Sequence, residues 1–379
     1  MLRWAMPFRF IHTADWQLGK PFNHFEPELA AQLADARLGV IERIARLAAD
    51  EQISHVLVAG DVWDIASPSD RLLRQPLDLM RAAGHVTWWL LPGNHDPAVP
   101  HGLWDRLRMM DVPANVRLLT ETAPVLMADG VNLLPAPWTS KAPGRDLTAP
   151  FETVTTAPST LRIGLAHGGT SSFFDQSPQS AAIAENRVHT AGLDFLALGD
   201  WHGFQEVDER TWYAGTPEPD RFPTNEPGSV LVVELQIGAP PLVKPIRTAL
   251  YTWTRDRLDC QDGVNPCAEA TELFDAHGPR HRRLSRLELH GALRLDTRMR
   301  FLNFLEQERQ SLAHLRLKSS ALLSLADHDA LDEIDREGTL RDAATNIVAK
   351  MNDDDRPEDE RATARRALDY LAAFAVGSA

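Results

Sequence analysis

His55-Val56-Leu57-Val58-Ala59-Gly60-Asp61-Val62-Trp63-Asp64 reads as a short apolar, β-branched run that stops at a glycine and meets a carboxylate at once. Such a run, bounded by a turn residue, has the pattern of a buried strand. The same form recurs along the first half of the chain. Phe8–His12 leads into Asp15-Trp16-Gln17, and Val86–Leu91 breaks at Pro92-Gly93 and continues as Asn94-His95-Asp96. Arg162–Ala166 ends at His167-Gly168-Gly169, and Phe195–Leu198 ends at Gly199-Asp200-Trp201-His202. Glu28–Asp50 carries Leu29, Leu33, Val40, Ile41, Ile44 and Leu47 on one stripe and reads as a single helix. Further strands are expected at Thr211–Ala214, Ser229–Gln236, Leu242–Arg247 and Tyr251–Thr254. Helices alternating with strands, then a β-rich stretch, predict a layered α/β sandwich with helices covering a sheet core.

The chemistry sits where the strands end. In open α/β sheets, ligands gather at the carboxyl ends of the strands. Five strand ends carrying Asp, Asn and His would converge on one point. Carboxylate, amide and imidazole together suit a pair of divalent cations such as Mn²⁺. A glycine ahead of several of these clusters lets the backbone turn sharply and approach closely. Taken singly, each residue has a plainer reading, because an Asp after a strand is commonly a turn residue or a helix cap. The ordered set D-x-Q, G-D-x-x-D, G-N-H-D, H-G-G and G-D-x-H is what carries weight.

That set resembles the calcineurin-like metallophosphoesterases, whose usual form is D-x-H, G-D, G-N-H-D/E, a lone H and G-H-x-H. Within that class it is most similar to the nuclease subunit of the SbcCD exonuclease family. Three stretches carry this likeness: His12-Thr13-Ala14-Asp15-Trp16-Gln17-Leu18-Gly19, Gly60-Asp61-Val62-Trp63-Asp64 and Tyr213-Ala214-Gly215-Thr216-Pro217. The likeness spans roughly residues 8 to 235. It implies an αββα sandwich with a smaller C-terminal α+β capping domain. It implies two metals, Mn²⁺ or alternatively Mg²⁺, one held by Asp15, Gln17, Asp61 and His202 and the other by Asp61, Asn94, His167 and Asp200. It further implies that His95 contacts the phosphate and protonates the leaving oxygen, with Asp96 expected to orient its imidazole. Two positions depart from the family form: Gln17 and Asp200 stand where histidines are usual. The expected activity is DNA cleavage of the repair type, with hydrolysis of a small nucleotide diester, or a catalytically weakened scaffold subunit, as alternatives.

The chain has 379 residues, of which 44% are hydrophobic. That is ample for a core and, at roughly 100–200 residues per domain, suggests more than one domain. An irregular, Gly- and Pro-containing stretch at Arg255–Arg280 suggests a boundary. The expected division is 1–255 for the phosphoesterase, 256–326 for the capping domain and 327–379 for an acidic helical tail. Strand Leu284–Leu289 and helices Thr297–Leu312, Leu340–Met351 and Thr363–Phe374 are expected within the latter two. No run of about 18 apolar residues is present, which argues against a membrane span. Met1–Pro7 is too short and too polar for a signal peptide. Cys260 and Cys267 lack C-x-x-C spacing, consistent with incidental thiols in a reducing cytoplasm. The formal net charge is −14, yet the stretch 280–318 is rich in arginine. Arg280, Arg282, Arg283 and Arg286 are therefore candidates for contacts to DNA phosphates. The acidic helices beyond Asp327 would face away from DNA and offer apolar stripes to a partner. In the resembled family that partner is a coiled-coil ATPase of the SMC type, and a homodimer is also implied.

Overall fold

The computed structural model describes residues 7–65, 67–170, 182–222, 225–325 and 338–377. The chain divides into two compact units, Met1–Tyr251 and Thr252–Ala379.

The first unit is a sandwich of two six-stranded sheets. Sheet one contains β1 (Phe8–Thr13), β2 (His55–Val58), β3 (Thr87–Leu90) and β4 (Val116–Leu118) as parallel neighbours, extended by β11 (Ser229–Leu235) and β12 (Leu242–Arg247). Sheet two runs β5 (Val125–Ala128), β6 (Val131–Ala136), β7 (Leu161–His167), β8 (Phe195–Gly199), β10 (Thr211–Tyr213) and β9 (Gln205–Asp208). Its middle strands are parallel and its two edges antiparallel.

Alternation along the strands builds the layers, because successive side chains face opposite ways. Phe10, Leu57, Trp89 and Leu91 of sheet one meet Leu133, Ile163, Leu165, Phe195 and Ala197 of sheet two in the inner core. Their sequence neighbours Ile11, Val56, Val58, Trp88 and Leu90 turn outward against helices α1 (Pro27–Leu38), α2 (Val40–Asp50), α3 (Asp70–Ala82) and α4 (Leu103–Arg108). On the far face, Leu134, Ala136, Ala166, Leu196 and Leu198 pack against Phe151 and against Val188 of the short α5 (Arg187–Thr190). This is the αββα order.

Several elements differ from expectation. The single helix over Glu28–Asp50 is two helices separated at Gly39, where the Arg43 guanidinium donates to the Ala36 carbonyl oxygen at 2.9 Å. The glycine, with the weakest helix propensity after proline, marks the break. Helix α3 carries an internal Pro76, which hid it; Ser69 caps its start by accepting from the Leu72 N–H.

The second unit is a three-stranded parallel sheet of β13 (Thr252–Cys260), β14 (Arg283–Arg294) and β15 (His314–Leu325), joined by α6 (Pro266–Asp275) and α7 (Leu295–Glu308). The stretch read as irregular, Arg255–Arg280, holds most of β13 and all of α6; Asn265 caps α6 by accepting from the Cys267 and Ala268 N–H groups. Helices α8 (Thr339–Met351) and α9 (Glu358–Gly377) follow. Their apolar residues Ala344, Met351, Ala364 and Leu368 pack on Leu295 of α7, so the stripes expected to face a partner are used internally. The expected boundary between residues 326 and 327 lies outside the described residues. Among the described residues no helix is long and apolar enough to cross a membrane.

Candidate metal centre

Strands β1, β2 and β3 of one sheet and β7, β8 and β10 of the other end at the same edge of the sandwich, and the polar residues after them meet there. Backbone bonds stitch the loops together: Asp15 N–H donates to Gly60 O at 3.1 Å, Gln17 N–H to Asp61 O at 2.8 Å and Gly168 N–H to Gly199 O at 3.2 Å. Four of the site residues hold left-handed backbone conformations, with φ of 54° at Asp15, 44° at Gln17, 53° at Asp61 and 102° at Asp200. Non-glycine residues rarely adopt that region, and such strain collects at functional sites. Glycines allow the approach of the two sheets. A Cβ at Gly199 would run into the Ala59 carbonyl oxygen, and one at Gly60 would lie 2.7 Å from the His167 Cβ.

His167 is the hub. Its Nδ1 lies 2.8 Å from Ala59 O, to which it donates. Its Nε2 then faces Asn94 Oδ1 at 3.3 Å, Asp61 Oδ1 at 3.4 Å and Asp200 Oδ1 at 3.7 Å. Asp15 is near enough for Asp15, Asp61 and His167 to offer one ligand atom each, all within 4.8 Å of one another. Cations of the Mg²⁺ and Mn²⁺ type bind oxygen at about 2.0–2.2 Å, which places neighbouring donors about 3 Å apart. Around His167 Nε2 the oxygens of Asn94, Asp61 and Asp200 lie 3.3 to 3.7 Å away, somewhat wider than that, with an orienting carbonyl behind the imidazole as metal-bound histidines require.

Electrostatics point the same way. Burial lifts the Asp15 carboxyl to about 6 against the pull of His202 and His167. Burial works to lower His167, but the carboxylates of Asp61, Asp200 and Asp15 overcome it and raise the imidazole to about 9. Three crowded carboxylates facing a buried ring form a pocket that favours added positive charge.

Gln17 does not fit the same pattern. Lys20 Nζ donates to Gln17 Oε1 at 2.8 Å, and the Gln17 amide nitrogen faces His202 Nε2 at 3.4 Å. An ammonium can only donate, so the oxygen is the atom that meets Lys20 and the NH₂ is the atom that faces the site. As oriented, Gln17 offers a cation no lone pair. His202 itself is oriented by Asp220, whose Oδ1 lies 3.2 Å from His202 Nδ1. Asp220 also pairs with Lys20 at 2.7 Å and with Arg221 at 3.2 Å. Burial opposes ionisation of Asp220, but the His202 hydrogen bond and the surrounding cations hold its carboxyl far below the usual range.

His95 lies at the exposed mouth. Its backbone N–H donates to Asp61 Oδ1 at 3.0 Å, and its Nδ1 lies 3.2 Å from Asp64 Oδ1. The hydrogen bond to Asp64 lifts the imidazole to about 9. Asp64 therefore orients His95, and the expectation for Asp96 is corrected. The Asp96 side chain turns inward, fully buried, and accepts from Gly93 N–H at 2.7 Å and Trp63 N–H at 3.1 Å. It holds the two loops in register and does not reach His95.

Sequence reading missed four contributors: Asp64 as the partner of His95, Asp220, Lys20 and Arg37. Arg37, buried in α1, donates to Trp16 O, Asp15 O, Glu218 O and Thr216 Oγ1 at 2.7 to 3.2 Å and ties the first loop to the one after β10. Helical spacing alone gave no signal for it. The candidate DNA-contacting arginines fare unevenly. Arg283 is fully buried, with its guanidinium donating to Asp256 Oδ2 at 3.0 Å and Leu273 O at 2.6 Å, so it offers no surface to DNA. Arg280 is paired with Asp275 and Glu308, and Arg286 with Glu288. Arg282 is exposed.

Helices outside two stacked sheets, with Asp, Asn and His meeting at their shared edge, define a metallophosphoesterase. A family model described as calcineurin-like phosphoesterase matches residues 8–233, and the chain belongs to that family. Among curated relatives, the uncharacterized metallophosphoesterase YhaO of Bacillus subtilis is 25% identical over 205 residues, covering 51% of this chain and 48% of the relative. A subunit of the SbcCD nuclease of Rhodobacter capsulatus is 40% identical over 96 residues, 24% of this chain and 22% of the relative. The DNA double-strand break repair protein Mre11 of Methanosarcina acetivorans is 24% identical over 235 residues, 60% of this chain and 36% of the relative. The chain thus spans about half, or less, of the length of these relatives. A solved structure of TT1561 from Thermus thermophilus is also similar, at 12% identity and a TM-score of 0.42, covering 64% of this chain and 99% of that one.

Proposed function

We propose that this chain is a metal-dependent phosphodiesterase that cleaves DNA. Asp61, Asn94, His167 and Asp200 hold a divalent cation, Mn²⁺ or Mg²⁺, because a site rich in hard oxygens prefers such ions. Asp15, Asp61 and His202 border a second position beside it. A cation held by that quartet would supply Lewis acidity toward a phosphoryl oxygen and an activated water. The chain's own residues do the rest. Asp61 reaches across both positions and also fixes the His95 backbone. Asp64 keeps His95 protonated near neutral pH, so that the imidazole can donate to the departing oxygen of the ester. Asp220 holds the His202 ring by its Nδ1, leaving Nε2 for the site.

The observation that carries the reading is the set of His167 distances: one imidazole nitrogen faces oxygens from three separate strand-end loops within 3.7 Å. DNA as the substrate is supported by the relatives named as SbcCD and Mre11 proteins. Of the four candidate arginines, the exposed Arg282 is the one best placed for a phosphate contact. An SMC-type ATPase is the partner in keeping with those relatives. The acidic helices α8 and α9 would then serve it through polar surface, their apolar stripes being packed on α7.

The test is digestion of end-labelled single- and double-stranded DNA with Mn²⁺, using wild type and His95→Asn. Cleavage by wild type, lost in His95→Asn with metal still bound, is expected. Activity on DNA should fall steeply with added salt, as phosphate contacts release counterions. Salt-indifferent hydrolysis confined to small diesters would point to a nucleotide substrate. Wild type inert on every diester would reduce the chain to a scaffold.

A further inference from the structure

The departure at Gln17 is coupled to a second residue. Lys20 lies one turn of loop beyond it, and its ammonium sits among Gln17 Oε1 at 2.8 Å, Asp220 Oδ2 at 2.7 Å and Asp64 Oδ1 at 3.9 Å. Its side chain is 20% exposed and Asp220 only 1%, so the pair is largely shielded from solvent. Asp220 also grips the His202 ring at its Nδ1, behind the first position, while the Gln17 amide nitrogen faces the ring's Nε2. One arrangement therefore does three things together. It turns the Gln17 oxygen away from the site, turns an NH₂ toward His202, and puts an ammonium beside Asp64 and Asp220. Among the described residues, the other position, around His167 Nε2, keeps its oxygens and has no ammonium at hydrogen-bond distance.

We propose that Lys20 disables the first cation position: its ammonium, anchored by Asp220, holds the Gln17 oxygen away from the site, so that this chain takes a single divalent ion tightly, at Asp61, Asn94, His167 and Asp200. The inference rests on the metal-dependent reading of the site. A unit charge held close by repels a second divalent ion, and a glutamine whose oxygen is already hydrogen-bonded cannot offset that repulsion. Gln17 and Lys20 thus act as a linked pair, a neutral donor in place of an imidazole ligand and the cation that holds it in that orientation.

The test is Mn²⁺ binding to the full chain, measured by titration calorimetry together with the electron paramagnetic resonance spectrum of the bound ion. Wild type should bind one Mn²⁺ tightly and give the spectrum of an isolated ion. Lys20→Met should admit a second ion at least about tenfold more tightly than wild type does and give a spin-coupled spectrum. Lys20→Arg, which keeps the charge, should stay at one. Gln17→His withdraws the partner without touching Lys20 and provides a second route: it should also gain an ion. Two ions of similar affinity in wild type, or one ion in both Lys20→Met and Gln17→His, would overturn the proposal. One ion in wild type and two in the variants, without hydrolysis of any diester, would leave it standing and overturn the proposed function instead. No bound Mn²⁺ in any form would end both.

Discussion

Gly199 ends β8 at the place where the two sheets touch, and Gly199→Ala probes that contact. A Cβ built there would lie 2.9 Å from both Ala14 Cβ and His167 Nδ1, and deeper still within the Ala59 carbonyl oxygen. Carbon atoms in ordinary contact lie about 3.5–4.0 Å apart. The sheets must therefore separate locally, because the obstacles are a backbone carbonyl, the Ala14 Cβ and a hub imidazole, none able to swing aside. Overpacking of this kind costs about 1–3 kcal/mol. Pushing His167 away from Ala59 O also weakens a buried hydrogen bond worth about 1 kcal/mol. The expected loss is about 2–4 kcal/mol in urea unfolding, with an unchanged slope and a weakened Mn²⁺ affinity. Gly84→Ala is the control, because its new Cβ would meet nothing closer than Arg81 O at 4.0 Å. It should fall within about 0.5 kcal/mol of wild type. If Gly199→Ala matched Gly84→Ala in stability, the close approach of the two sheets at the site would be refuted.

Three further outcomes follow from named contacts. The Asp64 hydrogen bond is the main reason His95 is raised to about 9, so Asp64→Asn should move the alkaline limb of the pH–rate profile to lower pH; an unmoved limb would remove His95 as the proton donor. His12 is fully buried and burial lowers it to about 3, below the usual 6.5. Its contribution is intact above about 6.5 and is lost as pH falls toward 3, because the unfolded chain takes up a proton that the folded one refuses, with a slope of up to about 1.4 kcal/mol per pH unit. Comparing urea midpoints of wild type and His12→Gln at neutral and mildly acid pH should show the flatter dependence in the variant. Arg37→Met strips four hydrogen bonds from the loops after β1 and β10 and should cost about 3 kcal/mol or more while lowering Mn²⁺ affinity; a variant as stable as wild type would show that those loops hold themselves.

The layered architecture was legible because buried parallel strands write themselves as apolar runs cut off by glycine, and the polar residues just after them could be listed without knowing the fold. The positions of Asp15, Asp61, Asn94, His167, Asp200 and His202 followed from that pattern. What did not follow was which neighbour serves which. Asp96 is adjacent to His95 in sequence, but a tight turn sends its carboxylate down to Gly93 and Trp63, while Asp64 arrives from another loop. Asp220 lies beyond any motif, and its partnership with His202 and Lys20 exists only in three dimensions. Arg283 looked like surface because its sequence neighbours are arginines; its place at the start of β14 points it inward to Asp256. Gln17 and Asp200 were visible as departures from the family form, yet only the Lys20 hydrogen bond distinguishes the donor orientation of one from the acceptor role of the other.

Hydrolysis of bis-para-nitrophenyl phosphate by wild type and Asp61→Asn, with Mn²⁺ and after chelation, asks whether one carboxylate shared by both positions organises a hydrolytic centre. Turnover should require the metal and should drop at least about a thousandfold in the variant. Turnover that survives both the chelator and the substitution would contradict the account.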